Sequence, residues 1–319
     1  MPRGPRDRRV RLAALGAVLV IVVLAASGTG RAWSSAAHRA FSDATLDADA
    51  AAVRRLAERL APLHAAKTPP QPGEWLDAYR EQGQTFAQYA AARPRGLGGR
   101  TTLYIQPLGD FTPAQAALVD GAVDYLGRFF ALPVARLEGV ALDVVPGTAR
   151  RGQPRPEDLQ ILSTWVLDWL ERRRPDDAVA VLALTAVDLW PGDDWNFVFG
   201  QASLDERVGV WSIARFGDPA ADPTLTLRRT IGTAAHETGH MLGIRHCIAY
   251  ECAMNGSNHQ EESDRQPLAF CPECVAKLWW TCVADPVERC ARLEAFARGH
   301  ALADEADHWA RAATLLRQP

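Results

Sequence analysis

The sequence predicts an α/β fold in which a mixed, mostly parallel sheet lies between helical layers, with one antiparallel strand at its edge. Three observations carry this reading. From Thr101 onward, strand-like segments alternate with segments of helical periodicity in the order strand, helix, strand, helix, strand. The run Ala178 to Thr185 is apolar without a break and is bounded by Asp176, Asp177 and Asp188, as expected of a strand covered on both faces. Asn196 to Ser203 and Val208 to Ala214 follow each other across a short Asp205-Glu206 turn, so a hairpin is the simplest connection and one of the pair runs antiparallel to its neighbours.

In chain order, Arg3, Arg6, Arg8, Arg9 and Arg11 precede an uncharged run from Leu12 to Gly30, followed within it by the small residues Ala25-Ala26-Ser27. A basic start, an apolar centre and a small-residue cleavage site make residues 1–30 a signal peptide; the run is also long enough for an uncleaved signal anchor. Both readings put the body outside the cytoplasm, exported or tethered to a membrane. These thirty residues carry +4, so the rest of the −3 chain carries −7, which argues against a nucleic-acid partner. Residues 31–68 read as a linker or exposed helical segment. Pro69-Pro70-Gln71-Pro72-Gly73 breaks it, and Glu74 to Ala92 has Trp75, Leu76, Tyr79, Phe86 and Tyr89 on one helical stripe.

Thr101 to Pro107 is the first expected strand, and Thr112-Pro113 caps a helix reaching Phe130. Gly139 to Val145 is expected as the second strand and Glu157 to Arg172 as the second helix. After the hairpin, Asp222-Pro223-Thr224 starts a helix that continues to Leu242, and Leu302 to Leu316 forms a terminal helix. At 319 residues and 48% hydrophobic content the chain supports one large or two medium cores.

The chemistry concentrates in His236-Glu237-Thr238-Gly239-His240-Met241-Leu242-Gly243-Ile244-Arg245-His246-Cys247. His236 and His240 stand four residues apart, so a helix projects both imidazoles from one face at a separation that one ion bridges. Gly243 suits the left-handed geometry that ends a helix, and the turn returns His246 as a third ligand. Three neutral nitrogens leave a fourth zinc position open for water, and Glu237 lies beside it as general base. Met254 follows eight residues after His246, in position for an apolar floor. All six cysteines fall between Cys247 and Cys290, and four of them, Cys247, Cys252, Cys271 and Cys274, have the spacing to close a tetrahedral structural zinc site.

His-Glu-x-x-His-x-x-Gly-x-x-His-Cys-x4-Cys-x-Met followed by Cys-x-x-Cys resembles the motif of the archaemetzincin family of zinc metallopeptidases, within the metzincin clan. Segments 83–86, 104–109 and 196–202 extend the likeness over roughly residues 70–280. One departure stands out: sixteen residues separate Met254 from Cys271, one fewer than the family pattern. The resemblance implies a zincin-like three-layer αβα domain over 69–290, two Zn²⁺ ions, and hydrolysis of peptide bonds by a zinc-activated water with Glu237 as base. It also implies that Phe199, Gly200, Gln201 and Ala202 form the edge strand that receives an extended peptide. Expected partners are a peptide or protein substrate, with the N-terminal segment available for membrane attachment, and the chain is expected to act as a monomer. A two-zinc module that binds peptides with little or no hydrolysis is the rival reading. Residues 291–319 are expected as a helical extension. Cys282 and Cys290 are left as a disulfide or two buried thiols, and His259, Glu261 and Glu262 as solvated.

Overall fold

The computed structural model describes residues 46–152, 159–193 and 195–318, together with the backbone of Val22–Val23; the predicted export or anchor segment otherwise lies outside the described residues. Val22–Val23 form strand β1. Helix α1 (Ala48–Glu58) is capped by Asp47, whose carboxylate accepts from the Ala50 amide at 2.8 Å, and it turns Ala50 and Ala57 inward. The aromatic stripe over 74–92 does not form one helix. It splits into α2 (Trp75–Ala78) and α3 (Phe86–Ala92), because Gly83 takes φ +63° and Thr85 and Gln88 build a capping box that starts a new helix.

Strand β2 (Thr102–Leu108) leads into α4 (Pro113–Phe130), which opens with the capping box Thr112–Gln115 and Pro113 at its first position. The expected strand at 139–145 is misplaced. Ala131 closes α4 in the left-handed region, and the chain pairs at once with β2 as β3 (Val134–Arg136). The chain follows the same edge as far as Val140, which bridges to Leu108, the last residue of β2; past that point Leu142–Val144 coils into one 3₁₀ turn. The second expected helix, whose first two residues lie outside the described ones, begins only at Ser163. Gln160–Leu162 is drawn into β5, between β4 (Arg150–Arg151) and β7 (Asp188–Trp190), so α5 covers Ser163–Glu171.

Strands β6 (Ala178–Thr185), β8 (Gly200–Ala202) and β9 (Val208–Ser212) complete the main sheet, whose order is β1-β8-β9-β6-β2-β3. Pairing is parallel throughout except between β8 and β9, which are antiparallel as the hairpin requires. Among the described residues, the strand beyond β8 is the two-residue β1, with Val22 opposite Gln201 and Val23 opposite Ala202. Alternate residues of β6 enter opposite cores. Ala180, Leu182 and Leu184 face the helical layer that holds α4, while Val181 and Ala183 face α5. That division makes three layers, and it explains why this strand reads as continuously apolar.

Helix α6 (Pro223–Met241) lies in the first helical layer, started by Asp222 accepting from the Leu225 amide at 3.0 Å. It approaches α4 closely, since a methyl group on Gly121 would stand 2.7 Å from Leu227. Short α7 (Gln260–Asp264) and α8 (Pro272–Thr281) follow, and then α9 (Pro286–Gly299) packs against α10 (Ala303–Arg317) and against α4. Phe129, Phe270, Phe296 and Trp309 share this junction. Among the described residues no helix is long and apolar enough to cross a membrane.

His64 meets His308 of α10 edge to face at 5.4 Å. Burial lowers each from 6.5 to about 4. Both are neutral in the folded protein at pH 7, and the unfolded chain takes up their protons first. Their contribution is therefore complete above pH 6.5 and is lost as pH falls toward 4. Melting temperature measured from pH 7 to pH 4 should fall steadily, and the fall should be shallower in His308→Phe; an equal slope in that variant would assign the acid lability elsewhere.

Candidate active site and metal centres

The end of α6 brings three imidazoles together. His236 and His240 project from the last turns, and Leu242 closes the helix with its amide bonded to the Thr238 and Gly239 carbonyls. Gly243 then takes φ +81°, a conformation that costs glycine little, and its amide bonds to the His240 carbonyl at 2.7 Å. This turn returns His246, whose ring centroid lies 5.3 Å from His236 and 4.9 Å from His240. One nitrogen from each of the three lies within 4.8 Å of the others, as the spacing predicted.

The opposite ring edges fix the tautomers. His236 Nδ1–H donates to the Ala253 carbonyl and His240 Nδ1–H to the Ile244 carbonyl, each at 2.7 Å, while His246 Nδ1 faces the Glu81 carboxylate at 2.8 Å. Carbonyl oxygens accept only, so the Nε2 atoms of His236 and His240 both carry lone pairs, and these stand 2.9 Å apart. Two lone pairs so placed repel, and a cation between them fits where a hydrogen bond does not. His246 Nε2 is also buried without a hydrogen-bond partner among the described residues. Burial lowers His236 to about 3, and burial with the neighbouring imidazoles takes His240 well down, so both are neutral ligands at pH 7. The donor set suits zinc in a site with an open position.

Glu237 is fully buried and neither carboxylate oxygen has a hydrogen-bond partner among the described residues. Burial pushes its carboxyl well above the usual range, which makes the ionised form a stronger base. It lies against β8, where a methyl group on Gly200 would come 2.6 Å from Glu237 Oε1. Gly200 is thus the point where strand backbone and base meet. The side chain of Gln201 points elsewhere, accepting from Ser163 Oγ at 2.6 Å, while Phe199 packs on Phe216 and Ala202 is core. Met254 is buried beneath the histidine turn, with its Sδ 2.5 Å from where a Cβ on Gly239 would stand.

The four cysteines Cys247, Cys252, Cys271 and Cys274 converge, with their sulfur atoms within 4.8 Å of one another and Cys247 Sγ 3.6 Å from Cys271 Sγ. Cys252 Sγ accepts from the amides of Met254 and Cys271. Hydrogen bonds with the thiols of Cys252, Cys271 and Cys274, and then the charge of Lys277, draw Cys247 well below the usual thiol range. Four soft donors around one point suit tetrahedral zinc. Cys282 and Cys290 are both buried, and the structure holds them as free thiols.

Several supporting groups were not legible beforehand. Glu81 lies 165 positions before His246 in the chain. Asn255 is buried and clamps the loop between the two centres, accepting from the Cys252 amide at 3.0 Å and donating to the Cys247 and Tyr250 carbonyls. Its place beside Met254 was the available signal. Glu262, expected in solvent with His259 and Glu261, is buried and accepts from the amides of Trp75 and Asn258, because α7 folds it back onto α2; Glu261 is exposed. Trp75 in turn packs edge to face on His246 at 5.0 Å.

Two changes test this geometry. Gly200→Ala should leave metal content unchanged and lower kcat on the order of 10²-fold by displacing Glu237; activity within twofold would show that the base tolerates the methyl group. Glu81→Ala should weaken metal binding at the histidines by about 10–100-fold in a competitive chelator titration, and an unchanged affinity would reduce the Glu81 contact to packing.

Comparison with known proteins finds relatives in sequence and in structure. The model of Peptidase family M54 matches residues 157–279. Archaemetzincin-2 of Rattus norvegicus is 35% identical over 241 residues, 64% of this chain and 67% of the relative. Archaemetzincin-2 of Homo sapiens is 33% identical over 243 residues, 65% of this chain and 67% of the relative. A solved archaemetzincin from Methanopyrus kandleri is 32% identical, with a TM-score of 0.47 over 57% of this chain and 94% of that one.

Proposed function

The chain belongs to the archaemetzincin family of zinc metallopeptidases, and from that premise we propose that it hydrolyses peptide bonds with Glu237 as general base and holds two zinc ions. His236, His240 and His246 would hold the catalytic ion, and Cys247, Cys252, Cys271 and Cys274 the structural one. When bound, zinc acts as a Lewis acid toward the scissile carbonyl and lowers the pKa of water. The observation that supports the reading most is the Glu237 carboxylate, buried and without a hydrogen-bond partner among the described residues, beside converging imidazole nitrogens and against the backbone of β8.

The residues divide the work. The β8 backbone at Gly200 to Ala202 would orient an extended peptide through main-chain hydrogen bonds, and the same groups are met here by Val22–Val23. Glu237 takes the proton of the attacking water and delivers it to the leaving amine. Glu81 and the Ala253 and Ile244 carbonyls keep the three imidazoles in one orientation and one tautomer. Met254 excludes water from beneath the rings.

We also propose that the activity lies outside the cytoplasm, from the basic start and apolar run of residues 1–30. Zinc on the four thiols would protect them from oxidation there.

Glu237→Gln separates base from ligand. The variant should retain wild-type zinc and lose about 10²- to 10⁴-fold in kcat on a peptide library. Wild-type turnover by the variant would exclude the mechanism, and a chelator-insensitive wild type would exclude the metal. Two bound zinc ions with no cleavage of any peptide would favour a binding module.

A further inference from the structure

Lys277 is one of two lysines in the chain and is 1% exposed. The other, Lys67, has an ordinary partner in Glu251 at 2.9 Å. Lys277 has no carboxylate partner among the described residues, and its Nζ donates to the Gln84 carbonyl. A buried ammonium without an anion is strongly unfavourable, so a negative group must lie close by. The thiol centre, one helical turn away through Cys274, offers such a charge once its cysteines are ionised. Lys277 follows Cys274 by three residues on α8, so the two side chains share one face of the helix and both are buried there. Four thiolates on one divalent ion retain a net charge of −2. Lys277 offsets half of it.

Gln84, whose carbonyl Lys277 holds, also reaches the turn that presents His246. Its Nε2 donates to the Gly243 carbonyl and its Oε1 accepts from the Arg245 amide, both at 3.3 Å. One side chain thereby brackets the turn from both ends. Its neighbours act on the same turn, Glu81 at His246 and Tyr89 through a 2.7 Å hydrogen bond to the Leu242 carbonyl. The other side of this segment is rooted on α8, where the Phe86 amide donates to Glu273 and the Thr281 hydroxyl to Tyr89.

Resting on the two-centre reading above, we propose that Lys277 and Gln84 are positioning residues that couple the thiolate centre to the catalytic histidines. With the thiolate centre charged, Lys277 is held and Gln84 keeps the Gly243–Arg245 turn in place. When that centre is lost, the ammonium loses its anion, the bracket loosens and His246 is less firmly presented. Gln84 touches neither set of ligands, so its effect separates coupling from coordination.

The test uses the full chain loaded with zinc, with metal release to a chromogenic chelator followed in time. Cobalt-loaded protein reports the thiolate centre separately through its sulfur-to-metal charge-transfer band. Gln84→Ala should leave the rate of band loss unchanged, speed release from the histidine site about 10-fold, and lower kcat with KM unchanged. Lys277→Met should speed both releases, and Lys277→Arg should restore them. Release from the histidine site at the wild-type rate in Gln84→Ala overturns the coupling, even if Lys277→Met fails to fold. Wild-type protein holding fewer than two equivalents of zinc removes the two-centre premise itself, a result visible before any variant is compared.

Discussion

The hydrogen bonds on the outer edges of the three imidazoles are the constraint that the site depends on. Each ring is turned by an acceptor on its Nδ1 side, two of them main-chain carbonyls and the third the Glu81 carboxylate. With the outer nitrogens committed, the inner ones converge, and those of His236 and His240 do so as lone pairs. Each acceptor belongs to a different part of the chain: Ala253 to the loop before Met254, Ile244 to the turn after α6, and Glu81 to the segment before α3. The cluster therefore exists only when all three parts are docked, so folding and metal binding are linked.

How much was legible beforehand follows from how local each feature is. His236 and His240 are set by helical periodicity, and the Gly243 turn needs only one residue with a positive φ, so both could be read along the chain. The continuous apolar run of β6 correctly announced a strand between two layers. Glu81 could not be read in this way, because an acidic residue in a polar stretch gives no sign of a partner far along the chain. Gly200 was named for its strand, but the reason it must be glycine lies in its distance from Glu237. The errors at 139–145 and 159–162 have a common cause. Both segments have ambiguous local propensity, and the strand lying alongside decided the outcome: β2 ends at Leu108, while β7 pairs with Gln160–Leu162.

The two candidate centres share one short stretch of chain. His246 faces one and Cys247 the other, while the Cys247 amide bonds to the Met254 carbonyl at 2.7 Å and Asn255 ties the intervening loop to itself. A displacement at the sulfur cluster has few degrees of freedom in which to relax before it reaches an imidazole. This is why the loop, although it makes little regular secondary structure, is as deeply buried as the core strands.

The contact between Gly200 and Glu237 bears on how the sequence can change over time. At most buried positions a substitution is absorbed by neighbouring repacking, and its cost is counted in stability. At Gly200 and Gly239 the neighbours are the base and the methionine beneath the histidines, so room can be made only by moving the groups that work. Such positions have a single acceptable occupant while the activity is under selection. They would be the earliest to drift in a copy of the gene that kept the fold and gave up the reaction.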